Sequence, residues 1–201
     1  MPERGRLIVI SGPSGAGKST VVFKAIEGRK DFCFSTSVTT RKPRPGEVDG
    51  REYFFIDRAR YDEMVRQDEL LEHAEYVSNG YGTPRAYVEQ KLSEGMNVVL
   101  DIEIQGARQV REKMPDAVMI FVLPPSMEEL RRRLVSRGTE SLEVIEGRLR
   151  RAKQEYAEAD FYDYLIVNDD ADRAAADFAA IVRAEHLRAK DRLQLLNGGH
   201  L

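Results

Sequence analysis

Leu7-Ile8-Val9-Ile10-Ser11-Gly12-Pro13-Ser14-Gly15-Ala16-Gly17-Lys18-Ser19-Thr20 is the stretch that decides the fold. Leu7 to Ile10 is continuously apolar and mostly β-branched, as in a strand covered on both faces. After Lys18, the residues Val21, Val22, Ala25 and Ile26 follow a helical pattern that Gly28 stops. Between strand and helix, Gly12 to Ser19 fits G-x-x-x-x-G-K-[ST] in the context that gives the pattern meaning. Its glycines let successive backbone N–H groups turn inward at phosphate oxygens, and the helix amino terminus adds partial positive charge. Lys18 would reach the β- and γ-phosphates, and the Ser19 hydroxyl would ligate Mg²⁺.

Working outward, further apolar runs lie at Phe34 to Val38, Val98 to Leu100, Val118 to Leu123 and Tyr164 to Val167. Helical patterns separate most of them. One runs from Pro84 to Gly95, and another opens at Ser126, with Glu129 in capping-box register, and stops at Gly138. Ser141 caps a helix on which Ile145, Leu149, Ala152, Tyr156 and Ala159 recur, and a last helix spans about Arg173 to Arg192 before a frayed tail at Asn197-Gly198-Gly199. Alternating strands and helices predict an α/β fold, a doubly wound parallel sheet. Residues 37–91, with a Pro/Gly-rich turn, a strand-like Tyr53 to Ile56 and a short helix near Tyr61, break the alternation, as do the two basic helices of 127–156. Both read as insertions on a core of 1–36, 92–126 and 157–201.

The 201 residues suffice for one core without covalent staples. Cys33 is the single cysteine, so an internal disulfide is excluded and a reduced, cytoplasmic protein is expected. Leu7 to Ile10 is too short for a signal-peptide core or a membrane span. A net charge of −3 argues against a duplex nucleic-acid binder. His73, His186 and His200 are scattered, which disfavours a histidine-based metal site or triad.

A phosphate cradle alone does not separate an ATPase, a GTPase, a motor and a kinase. Asp101 ends the run Val98-Val99-Leu100, where it would complete a metal site at the carboxyl edge of the sheet, or else cap the helix starting near Ile104. Thr40-Arg41-Lys42-Pro43-Arg44-Pro45-Gly46 sets two arginines on a proline-stiffened turn suited to an anion, with Tyr53 and Tyr81 as phenolic donors. The same turn also reads as a solvated loop or a short Pro-rich peptide ligand.

Taken together, Gly12 to Thr20, Ser37 to Glu47, Glu72 to Thr83, Asp101 to Gly106, Arg133 to Glu140 and Val167 to Asp170 resemble guanylate kinases in order and spacing, over about residues 6 to 190. The resemblance implies a P-loop nucleoside monophosphate kinase that converts ATP and GMP to ADP and GDP with Mg²⁺ in purine nucleotide metabolism. It also implies that 37–91 is a GMP-binding domain and 127–156 a lid. ATP would lie on Gly12, Pro13, Ser14, Gly15, Ala16, Gly17, Lys18, Ser19 and Thr20, with Arg133 and Asn168 near the adenine. Arg41, Arg44, Tyr53 and Tyr81 would take the GMP phosphate, and Ser37, Glu72 and Thr83 the guanine, with Gly82 and Asp101 beside GMP and Ser19 and Asp101 at the metal. Lys18, Arg41, Arg137 and Arg148 would act on the transferring phosphoryl group. Glu103 stands where the family pattern has Asp.

The chemistry of Glu72 supports this independently. An ionised carboxylate accepts from guanine N1–H and N2–H₂ at once, whereas adenine would meet it acceptor to acceptor. Such a mismatch is worth discrimination on the order of 10⁴. Without the resemblance, Glu72 also reads as an exposed strand carboxylate. The acceptor is already an anionic phosphate, so positioning and charge neutralisation, not a strong base, would carry the rate. Two rivals remain at this level: a non-catalytic phosphopeptide-binding scaffold, against which Lys18, Ser19 and Asp101 all argue, and a kinase for another acceptor such as a ribosyl phosphate.

Overall fold

The computed structural model describes residues 3–136, 138 and 141–193. It is a mixed α/β fold of nine strands and eight α-helices among those residues. One compact unit takes the chain up to Val9 together with Lys30–Ala117, and the other takes Ile10–Arg29 and the chain from Val118 on. β1 (Leu7–Ser11) contributes residues to both units.

In the first unit, β2 (Phe32–Phe34) pairs in parallel with β7 (Asn97–Asp101), Phe34 opposite Val99. A second sheet has the order β4-β3-β6-β5 and is built from β3 (Val38–Thr39), β4 (Phe54–Phe55), β5 (Leu70–Tyr76) and β6 (Asn79–Pro84). Helices α2 (Arg58–Arg66), α3 (Arg85–Ser93) and α4 (Ile104–Lys113) complete the unit. Val38, Tyr61, Met64 and Leu70 form an apolar cluster of their own under the second sheet, with Phe54, Ile56 and Val65 packed on it.

The second unit pairs β8 (Val118–Leu123) in parallel with β9 (Tyr164–Val167) and packs α1 (Lys18–Ile26) on α7 (Ala171–Glu185). The basic helices α5 (Met127–Ser136) and α6 (Leu142–Tyr156) pack on each other through Leu130, Leu134, Ile145, Leu149 and Ala152. Both caps expected for them form: Ser126 Oγ accepts from Glu129 N at 3.0 Å and Ser141 Oγ from Val144 N at 3.4 Å. Among the described residues, no helix is long and apolar enough to cross a membrane.

Three expectations require correction. Phe34 to Val38 is not one strand: Ser35-Thr36-Ser37 interrupts it. Ser35 N closes the parallel ladder on Val99 O at 3.1 Å, while Ser37 O accepts from Phe54 N at 2.9 Å in the other sheet. The helical periodicity through Ala159 outruns α6, which ends at Tyr156, and Ala159–Phe161 is a 3₁₀ turn. The last long helix stops at Glu185, and a separate α8 (Ala189–Arg192) follows an extended Arg188. The tail at Asn197-Gly198-Gly199 and His200 lie outside the described residues.

Candidate functional site

The second unit holds the cradle. Gly12 leaves β1 at φ 139°, where a Cβ would collide with Val122 O, and Ala16 N closes the turn on Pro13 O at 3.0 Å. Gly17 then enters α1 in the left-handed conformation, φ 89°, as its N-cap. This backbone carries β1 through a tight glycine-rich loop into the amino terminus of α1, where backbone N–H groups and the helix dipole favour an anion. Lys18 Nζ donates to Gly12 O at 2.8 Å, folded back over the loop; Ser19 and Thr20 begin α1 with exposed side chains.

Arg133 and Asn168, expected near the adenine, both reach the loop itself. Asn168, 5% exposed, donates from Nδ2 to Ala16 O at 2.7 Å, and Arg133 Nη1 donates to the same carbonyl at 3.3 Å. Arg133 Nη2 also donates to Asn168 O at 2.9 Å. Two side chains from other elements therefore hold the Ala16–Gly17 peptide through its carbonyl. Glu129 orients Arg133: its Oε1 accepts from Arg133 Nε at 2.7 Å, and the same carboxylate takes a two-pronged bond from Arg132. Arg132 first and Arg133 second pull the Glu129 carboxyl down to about 2. The reading of the capping box missed this role, although Glu129 with Arg133 at i,i+4 was a visible signal. Arg148 Nη1 donates to Ser14 Oγ at 2.9 Å, which brings a basic-helix arginine to the cradle. Arg137 lies outside the described residues.

The first unit holds the other candidates. Glu72 is 8% exposed and accepts at Oε1 from the Thr83 hydroxyl at 2.7 Å; Thr83 is 1% exposed. Burial pushes the Glu72 carboxyl above the ordinary carboxylate range, against the Thr83 hydrogen bond and the charge of Lys113. It is therefore not an exposed strand carboxylate. Gly82 is buried in β6 opposite His73. Ser37 precedes β3, and Asp101 ends β7 with an exposed side chain. The helix after Asp101 takes Glu103 as its N-cap, so Asp101 is not that helix's cap.

Arg41 is gripped by Glu47 through two 2.9 Å bonds, Nη1 to Oε2 and Nη2 to Oε1, and its guanidinium lies 5.4 Å from the Tyr53 ring centre. Tyr53 and Tyr81 meet edge to face at 6.0 Å, and Glu47, then the Tyr81 phenol, hold the Arg41 guanidinium charged. The structure thus gathers Arg41, Tyr53 and Tyr81. Arg44 is exposed; its backbone N donates to Glu47 Oε2 at 2.7 Å, and, after the Arg41 bonds, that bond and the Arg44 charge help hold the Glu47 carboxyl below its ordinary value. Glu47 is the partner that sequence reasoning left without a role; opposite charge across the Pro43-Arg44-Pro45 turn was the available signal.

The chain resembles known proteins along most of its length. The guanylate kinase family profile matches residues 4–185. The guanylate kinase of Lactococcus lactis is 55% identical over 188 residues, 94% of this chain and 92% of that one. A guanylate kinase of Thermus thermophilus is 54% identical over 186 residues, 92% of this chain and 84% of the relative. A crystal structure of guanylate kinase from Anaplasma phagocytophilum superposes with TM-score 0.73 at 36% identity, covering 99% of this chain and 96% of the other. A family profile over residues 4–185 and relatives at about half identity over most of the chain lead to one conclusion: the chain belongs to the guanylate kinase family.

Proposed function

We propose that the loop Gly12 to Thr20 holds ATP, that Glu72 and Thr83 with Ser37 hold the guanine of GMP, with Gly82 beside GMP, and that Arg41, Arg44, Tyr53 and Tyr81 hold its phosphate. The chain is an ATP:GMP phosphotransferase, ATP + GMP ⇌ ADP + GDP. Glu72 carries the acceptor assignment. A buried ionised carboxylate is costly unless paired. Thr83 supplies one hydrogen bond, and guanine N1–H and N2–H₂ would supply two more to the same group.

Phosphoryl transfer passes through a loose, charge-spread transition state, so the residues act by position and charge. In the reading we propose, Lys18 leaves Gly12 O to meet the β- and γ-phosphate oxygens. Arg41 exchanges one or both Glu47 bonds for the GMP phosphate, while Arg137 and Arg148 neutralise charge on the group in flight. The Ser19 hydroxyl and the Asp101 carboxylate are hard oxygen donors of the kind Mg²⁺ takes, and an ion carried on nucleotide phosphates needs only one or two such ligands. Bound Mg²⁺ would neutralise charge on those phosphates. Arg133 and Asn168 would act at the cradle and at the adenine. We further propose that 37–91 and 127–156 work as the GMP-binding part and the lid. The apolar clusters at Val38, Tyr61, Met64 and Leu70 and at Leu130, Leu134, Ile145 and Leu149 support this. We place the enzyme in the cytoplasm, on its single cysteine.

An ADP-release assay against GMP, AMP, CMP and UMP tests the assignment. GMP alone should turn over fast, and equal rates with all four would exclude a guanine reader.

A further inference from the structure

Glu72 stands on an irregularity of β5. Leu70 faces Pro84 and His73 faces Gly82, so that Leu71 and Glu72 together oppose Thr83, two residues against one. Leu70, Leu71 and Glu72 are 1%, 0% and 8% exposed, so β5 is covered on both faces where the register shifts. A bulge re-aims a side chain, but it also disrupts the local ladder, so the direction of Glu72 depends on what holds the distorted backbone.

β5 is the last strand of its sheet, and its outer edge needs partners from elsewhere. Helix α4 supplies them at both ends of the bulge. Gln109 Oε1 accepts from His73 N at 3.0 Å and Gln109 Nε2 donates to His73 O at 3.1 Å, so one side-chain amide satisfies both backbone groups of a residue as a neighbouring strand would. One helical turn on, Lys113 Nζ donates to Leu70 O at 2.6 Å and pairs with Asp68 at 2.6 Å. The helix approaches so closely that a Cβ on Gly106 would lie 3.0 Å from Glu72 Oε2.

We propose that Gln109 is a positioning residue for base recognition: by clamping both backbone groups of His73 it fixes the bulge that aims the Glu72 carboxylate. The proposal rests on the reading of Glu72 as the guanine acceptor. Lys113 shares the clamp, but its charge also acts on Glu72, so a Lys113 variant would mix position with electrostatics. Gln109 is neutral and reaches only backbone.

The test is steady-state kinetics of the full chain with GMP and with IMP, which lacks the exocyclic amino group, at saturating ATP. Gln109→Ala should raise KM for GMP about tenfold and carry the GMP/IMP ratio of kcat/KM toward one, with KM for ATP unchanged. Gln109→Met, similar in length and without hydrogen bonds, should do the same and serves if the alanine variant does not fold. Glu72→Gln is run in parallel. If it abolishes the GMP/IMP preference while both Gln109 variants keep the wild-type ratio, the positioning role is overturned and Glu72 stands as reader. A lowered melting temperature with an unchanged ratio would likewise overturn the positioning role. If Glu72→Gln itself keeps the preference, the reading of Glu72 falls, whatever Gln109 does.

Discussion

The Thr83 hydroxyl donates to Glu72 Oε1 across 2.7 Å, a hydrogen bond between two side chains that are both nearly withdrawn from water. The two face each other across β5 and β6 at the bulge. Removing a donor from a buried ion costs more than losing an exposed bond would, about 1.5–3 kcal/mol. Thr83→Val, which keeps the shape, should therefore lower unfolding stability by that amount and weaken GMP binding, while Thr83→Ser should restore most of both. Denaturant unfolding together with GMP titration checks this; an unchanged Thr83→Val protein would mean the bond contributes nothing.

Acid should affect the same residue early. Burial raises the Glu72 carboxyl above its ordinary 4.5 in the folded chain, so the folded state holds this proton more tightly than the unfolded one. The group's contribution to stability accordingly falls as pH rises from 4.5 through the raised folded value, and is recovered on acidification. Recognition runs the other way. If Glu72 reads guanine as proposed, its protonated form no longer offers two acceptors, so KM for GMP should climb as pH falls through the raised value. The Glu72→Gln enzyme should lack that limb in a pH profile; a wild-type profile flat down to about pH 4, near the ordinary carboxylate value, would contradict it.

Lys18 curls back on Gly12 O at 2.8 Å, a contact that a nucleotide would replace. Lys18→Ala should cut kcat by about 10²–10³, the usual effect of removing a group that meets transition-state charge, with little change in melting temperature. A mild kinetic effect would show that the cradle works without its lysine.

At the cradle, Asn168 holds the Ala16 carbonyl from a buried position, and Arg133 supports both. Asn168→Ala should raise KM for ATP about tenfold and leave KM for GMP in place, and Asn168→Asp, which opposes an acceptor to Ala16 O, should do worse. Michaelis constants for both substrates measure this; a GMP effect of equal size would point to general destabilisation.

How much of this could be read beforehand depended on whether the signal was local. The strand–loop–helix at Gly12 to Ser19 was legible because its glycines shape one loop and need only a strand before and a helix after. The helix caps at Ser126 and Ser141 were legible for the same reason. Strand β6 was not, since Asn79-Gly80-Tyr81-Gly82 has little strand propensity; pairing with β5 imposes it, through a turn in which Val77 and Ser78 both take positive φ, 47° and 63°. Phe34 to Val38 read as one strand because apolarity does not reveal that hydroxyl residues at 35 to 37 carry the chain from one sheet to another. Glu47 and Gln109 escaped because their partners, Arg41 across a turn and His73 on another element, are set by the fold.

The central claim is that the buried Glu72 carboxylate tells guanine from adenine, and calorimetric titration of GMP and AMP into wild type and Glu72→Gln tests it most directly. The account predicts that wild type binds GMP far more tightly than AMP, and that the variant, still folded and still binding ATP, loses most of that difference. A Glu72→Gln protein that preferred GMP over AMP as strongly as wild type would contradict it.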